Sequence, residues 1–184
     1  YHSSCRVTIH STRPAEELRQ ILEGQMSAPY FSARSALRAQ LQYAQLPPEG
    51  VQAGRLLIQP IPLHHPGGAS GYSISGQGAR IVYACDHEHG NEGVDRSLRR
   101  HAREAGVLVY DAQYTPEEHA RRTGWGHGTW LEAAKVARDA GVRQLVLSHH
   151  DPQHNDATVE EIVARASAEF ENTAGAKEGW TVTL

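Results

Sequence analysis

From Arg80 to Leu147 the chain alternates short apolar runs with longer amphipathic stretches, and this alternation restricts the fold more than any other feature. RIVYAC at 80–85, VLVY at 107–110 and QLVL at 144–147 have the length and composition of buried strands. Between them, helical spacing is predicted around Val94 to Ala105 and from about Thr129 to Ala140. Gly106 and Gly141 stand where those helices should end, because glycine takes the left-handed conformation that closes a helix at little cost. Strand, loop, helix, strand is the grammar of α/β packing, so the expected fold class is α/β.

Upstream, Arg6 to His10 is a short strand candidate, and Pro14 opens a helix with Leu18, Ile21 and Leu22 on one face and Glu16 and Glu17 in its first turn. A second helix is expected to bury Leu37, Leu41 and Ala44 before Pro47-Pro48-Glu49-Gly50 stops it. Strands are predicted over 55–63 and 71–75, the latter joined to the 80–85 strand by the turn Gly76-Gln77-Gly78. A helix near Thr158 to Phe170 and a closing strand from Trp180 to Leu184 complete the prediction. With no internal repeat, residues 1–184 are expected to form a single domain.

The Lys and Arg residues are scattered apart from Arg96, Arg99, Arg100 and Arg103, and the formal net charge is −3, so charge does not indicate a nucleic-acid surface. No run reaches the roughly 18 apolar residues that a membrane helix needs, and the first residues lack the pattern of a signal peptide. A cytoplasmic location is the expectation. Cys5 and Cys85, far apart in predicted strands, are read as free core residues rather than a disulfide or a CxxC metal motif. Twelve histidines point instead to metal or proton chemistry, and a first residue that is tyrosine rather than methionine reads as a trimmed or partial chain.

Four predicted strands run into metal-ligating or acid–base residues: Leu63 into His64-His65, Cys85 into Asp86, Tyr110 into Asp111, and Leu147-Ser148 into His149-His150-Asp151. Taken singly, each is an ordinary loop histidine, turn former or helix cap. Taken together, they lie where α/β sheets gather ligands, in the crevice beyond the strand ends. Imidazole and carboxylate donors with little thiolate suit zinc, held at about 2.0 to 2.2 Å with a position left for water. Such water, its pKa lowered towards ~7, is a hydrolytic nucleophile.

The ordered set HHPGGASGYSI, IVYACDHEHG, VLVYDAQYTPEE, GWGHGTWLEAAKVARDAG and QLVLSHHDPQHND resembles the metallo-β-lactamase-fold hydrolases, in the branch of ribonuclease Z-like and cyclic-phosphodiesterase-like enzymes. The resemblance runs from Arg6 to Leu184 and implies an αββα sandwich, here missing its N-terminal part. It implies that His65 binds one metal, Asp86 bridges two and His149 binds the second, while Asp111 orients His127 as a catalytic imidazole. The turn here reads GHGT where the branch has GHST. The family's HxHxDH motif, which supplies the remaining ligands, is absent from the 184 residues and is expected upstream of residue 1. His87 and His89 read as loop or supporting residues, His89 being the better placed to line the cleft.

The expected function is that of a metal-dependent hydrolase of a phosphodiester or cyclic phosphate, acting through a metal-bound hydroxide on a small phosphate-ester or nucleotide-like substrate. Zinc is the expected metal, with manganese or iron as alternatives, in a site that is dinuclear when complete. The alternative is a non-catalytic half-domain or assembly module with a residual or partner-completed metal site. Either way, a homo-oligomer or completion by an N-terminal segment is expected.

Overall fold

The computed structural model describes residues 5–30 and 39–184, which form two compact units that divide at Val51 and Gln52. The first contains β1 (Arg6–Ser11), α1 (Ala15–Gln25) and β2 (Gln40–Gln45). The two strands pair in parallel, from Arg6 opposite Gln40 to Ser11 opposite Gln45. Pro14 caps α1, and Leu18 is its buried residue; Ile21 is 41 % exposed, so the apolar face is narrower than the sequence predicts.

Leu41 and Ala44 lie on β2, not on a helix. Their three-residue spacing fits one helix face, but the stretch Gln40-Leu41-Gln42-Tyr43 also alternates polar and apolar residues with the period of a strand, and pairing with β1 selects that reading. Leu37 lies outside the described residues. Cys5 is exposed just before β1, whereas Cys85 is buried as expected, and both thiols are free.

The larger unit is built on a seven-stranded sheet of β3 (Val51–Ala53), β4 (Leu56–Leu63), β5 (Ala69–Gly76), β6 (Ala79–Ala84), β7 (Val107–Asp111), β8 (Gln144–Ser148) and β9 (Thr173–Gly175), in that order. β4, β5 and β6 are antiparallel neighbours, whereas β6 to β9 run in parallel. Gln77 and Gly78 turn β5 into β6, both with positive φ, which matches the twist of a tight hairpin. The parallel strands need crossovers, which α2 (Glu92–Ala102), α3 (Pro116–His119) with α4 (Trp130–Ala140), and α5 (Asp156–Glu169) supply.

Register explains the core. Val82, Leu108 and Leu145 are neighbours across β6, β7 and β8, and so are Ala84, Tyr110 and Leu147. All six are buried with Leu98 of α2, Trp130 and Ala134 of α4, and Ile162 of α5. Alternate residues face the other side of the sheet, where Tyr83 is 42 % exposed.

Gly141 caps α4 at φ 64, as predicted. At the end of α2 the positive φ belongs to Glu104 instead, and Gly106 serves a close approach in which a Cβ would lie 2.8 Å from Leu184. Trp180 to Leu184 is not a strand; the last strand is β9, beside β8. Among the described residues no helix is long and apolar enough to cross a membrane.

Candidate metal centre

Parallel strands deliver their C-terminal ends to one edge of the sheet, and the candidate residues collect there. Asp86 follows β6, Asp111 closes β7, His149 follows β8, and His127 lies in the loop before α4. One potential ligand atom from each of these four residues lies within 4.8 Å of the others. Two of them hold unusual backbone: Asp86 has φ 63 and His149 φ 61, a left-handed conformation that costs a non-glycine residue energy.

Asp111 is fully buried, and its carboxylate is saturated with donors. Oδ2 accepts the backbone N–H of Asp86 at 2.9 Å and of His87 at 3.4 Å, and pairs with Nδ1 of His127 at 3.0 Å. Oδ1 accepts the N–H groups of Gln113 and Gly128, both at 3.1 Å. Five donors use the lone pairs that two carboxylate oxygens offer. Asp111 therefore has little acceptor capacity left for a cation, although its oxygen falls within the cluster.

Because the carboxylate can only accept, the proton on His127 belongs at Nδ1, which leaves Nε2 as the ring nitrogen able to accept. The hydrogen bond to Asp111 raises the His127 pKa above the usual imidazole value, against the opposing effect of burial. The His127 ring stacks on His149 at 5.0 Å between centroids and meets His65 edge-on at 5.5 Å.

Asp86 and His149 are the accessible donors, with side chains 46 % and 36 % exposed. Asp86 Oδ1 lies 3.3 Å from His149 Nε2 and 3.9 Å from His127 Nδ1. Two bonds of about 2.0 to 2.2 Å meeting at a tetrahedral angle place their ligand atoms about 3.3 to 3.6 Å apart. The Asp86–His149 spacing fits that span, and one carboxylate with one imidazole is a donor set that can hold a divalent cation.

The sequence-predicted residues Asp86, Asp111, His127 and His149 are thus brought together. His65 stands beside them, across the His127 ring, and its Nδ1 accepts the Gly67 N–H at 3.3 Å. His64 and His150 are not in the cluster: His64 pairs through Nδ1 with the Glu88 carbonyl at 3.0 Å.

His87 is 1 % exposed, so it is a buried strut rather than a solvated loop residue. Its Nδ1 accepts the His64 N–H at 3.2 Å, its Nε2 lies 3.3 Å from Asp95, and burial pushes its pKa down. His89 stacks on His119 at 4.5 Å.

The glycines flanking His127 are explained by space. A Cβ on Gly126, whose φ is 92, would lie 2.3 Å from the His65 ring. One on Gly128 would lie 2.8 Å from the Asp111 carbonyl oxygen. The loop packs so tightly that GHGT admits no side chain at either position without movement.

Sequence reasoning missed Glu88, an acid only 3 % exposed. Burial works to raise its pKa, but the backbone N–H groups of Gly124 and Gly126 and the His119 imidazole lower it overall. A glutamate in a loop has no periodicity to mark it as buried; only its place between two histidines set it apart.

Ribonuclease Z of Gemmatimonas aurantiaca is 36 % identical over 108 residues, which cover 59 % of this chain but 32 % of that protein, so this chain spans about a third of that relative. The metallo-β-lactamase-fold protein YhfI of Bacillus subtilis superposes with a TM-score of 0.70 at 18 % identity, covering 95 % of this chain and 64 % of that one. A diphosphatase of the PhnP family superposes with a TM-score of 0.68 at 14 % identity, covering 98 % and 60 %. The fold is that of metallo-β-lactamase-fold proteins. A family model described as the beta-lactamase superfamily domain matches residues 15–150, well over half of the 184, and the chain belongs to that family.

Proposed function

We propose that this centre serves metal-dependent hydrolysis of a phosphodiester or cyclic phosphate, with Asp86, His149 and His65 facing the cation and His127 acting on the leaving oxygen. The observation that carries the reading is the His127 imidazole, held at Nδ1 by buried Asp111 and stacked 5.0 Å from His149. A divalent cation at this centre, zinc by its donors, with manganese or iron as alternatives, would supply positive charge against phosphoryl oxygens and acidify water.

The chain's own part is orientation and proton handling. Asp111 keeps the proton on Nδ1 and stabilises the doubly protonated ring, so Nε2 can carry a second proton toward a departing alkoxide. Asp111 is itself fixed by four backbone N–H groups, so the imidazole is aimed before substrate arrives. The names of the relatives, ribonuclease Z and diphosphatase, favour phosphoryl chemistry on a nucleotide-like or other phosphate-ester substrate.

A second reading, a non-catalytic binding or assembly module, is favoured by the openness of Asp86 and His149, which leaves room for donors from outside the described residues. Zinc and manganese titration, with turnover of bis(p-nitrophenyl) phosphate, separates the two. The hydrolase reading expects one or more tightly held metals per chain and turnover above buffer, with His127→Ala retaining metal while losing roughly 100-fold or more in rate. Metal binding with no turnover above buffer favours the module, and Asp86→Asn binding metal as tightly as the parent removes the site itself.

A further inference from the structure

Glu88 is the buried acid that the metal-facing cluster does not use. Its two oxygens diverge onto two amides: Oε1 accepts the Gly124 N–H at 2.7 Å, and Oε2 accepts the Gly126 N–H at 2.8 Å. His119 Nε2 adds a third contact to Oε1 at 3.2 Å. The two amides flank Trp125, which is 62 % exposed, and Gly126 immediately precedes His127.

The backbone of Glu88 faces the other way. Its N–H donates to the His64 carbonyl at 2.8 Å, and its own carbonyl pairs with His64 Nδ1 at 3.0 Å. One residue therefore ties the segment carrying His65 to the loop carrying His127, and Gly126 closes against the His65 ring with no room for a Cβ.

We propose that Glu88 is a positioning residue that clamps the 124–128 loop against the His64–His65 segment and so sets the 5.5 Å approach of the His65 and His127 rings. Its relevance to catalysis rests on the functional reading above, but the clamp itself does not. A carboxylate suits this place because both amides are donors and each needs its own acceptor oxygen. Glutamine would set its NH₂ group against one of them, and aspartate is a methylene too short to reach both.

The test is Glu88→Gln in the full chain, with amide hydrogen exchange as the readout. The Gly124 and Gly126 amides should exchange about 10- to 100-fold faster, as expected for loss of hydrogen bonds to a charged acceptor. The amides of Gly106 and Leu145, bonded to Arg80 and Asn172, should keep the parent rates. Zinc affinity should weaken by roughly tenfold or more, the usual consequence of loosening the support of a metal-facing group.

Unchanged exchange at Gly124 and Gly126, or an equal acceleration at all four amides, overturns the proposal, because the first denies the clamp and the second reduces Glu88 to general stability. Should Glu88→Gln not fold, Glu88→Asp is measured by the same amides. If the parent chain binds no zinc, the functional reading fails while the exchange rates still decide the clamp.

Discussion

Asp86 follows β6 and Asp111 closes β7, on parallel neighbours whose registers bring Ala84 opposite Tyr110. The side chain of Asp86 is 46 % exposed and faces the His149 imidazole at 3.3 Å. Asp111 is fully buried, and five donors converge on its carboxylate. The same residue type at equivalent strand ends is thus left open in one case and consumed by the scaffold in the other. Nearness to the cluster alone therefore does not mark a carboxylate as free to face a cation; the acceptor capacity left on its oxygens does.

The largest effect that could break this comparison is expected at Asp111. Asp111→Ala removes the acceptor of four backbone N–H groups and strands them in a buried pocket, so urea unfolding should show a loss of about 3 to 5 kcal/mol or failure to fold. Asp86→Asn should leave unfolding nearly unchanged while zinc affinity collapses, since asparagine tolerates the positive φ but offers a neutral oxygen. Equal stability losses in the two variants would erase the distinction.

Gly128→Ser, which turns GHGT into GHST, should cost roughly 1 to 3 kcal/mol, because its Cβ enters the space of the Asp111 carbonyl. A neutral result in thermal unfolding would show that the loop yields, and that Asp111 is less firmly held than the donor count implies.

The smallest effect concerns a third carboxylate. Glu118 caps α3 by accepting the Thr115 N–H at 2.7 Å and pairs with His154 at 2.9 Å. Burial works to raise its pKa, but these bonds, that to His154 first, lower it overall from 4.5. A folded-state pKa below the unfolded value means that the contribution is fully present above pH 4.5 and is lost as pH falls through the lowered value. The stability gap between parent and Glu118→Gln, roughly 0.5 to 1 kcal/mol near neutral pH, should shrink below pH 4.5. A constant gap down to pH 3 would detach Glu118 from this scheme.

The parallel strands were legible because β7 and β8 are buried apolar runs that admit little else, and α4 because Thr129 and Gly141 punctuate it at both ends. Asp86, Asp111 and His149 were legible as strand-end residues, and His127 through the resemblance of its turn. The mistaken helix at Leu41 and Ala44 shows where local pattern fails: a short stretch can satisfy two periods, and only the β1 strand opposite it decides. Gly106 failed for a related reason, since a glycine serving a close approach looks in sequence like a glycine serving a helix end.

Sequence alone determined the α/β alternation and the residue types at the sheet edge, because burial demands apolar strands and ligand chemistry demands imidazoles and carboxylates. Tertiary structure decided which of those groups are spent and which are open. It set Asp111 beneath five donors, left Asp86 facing His149, and drew Glu88 out of a loop to join His65 to His127. Apart from the Gln113 N–H on Asp111, those outcomes depend on contacts between residues 16 or more positions apart, whose partners meet only after the strands have paired, so no local pattern carries them.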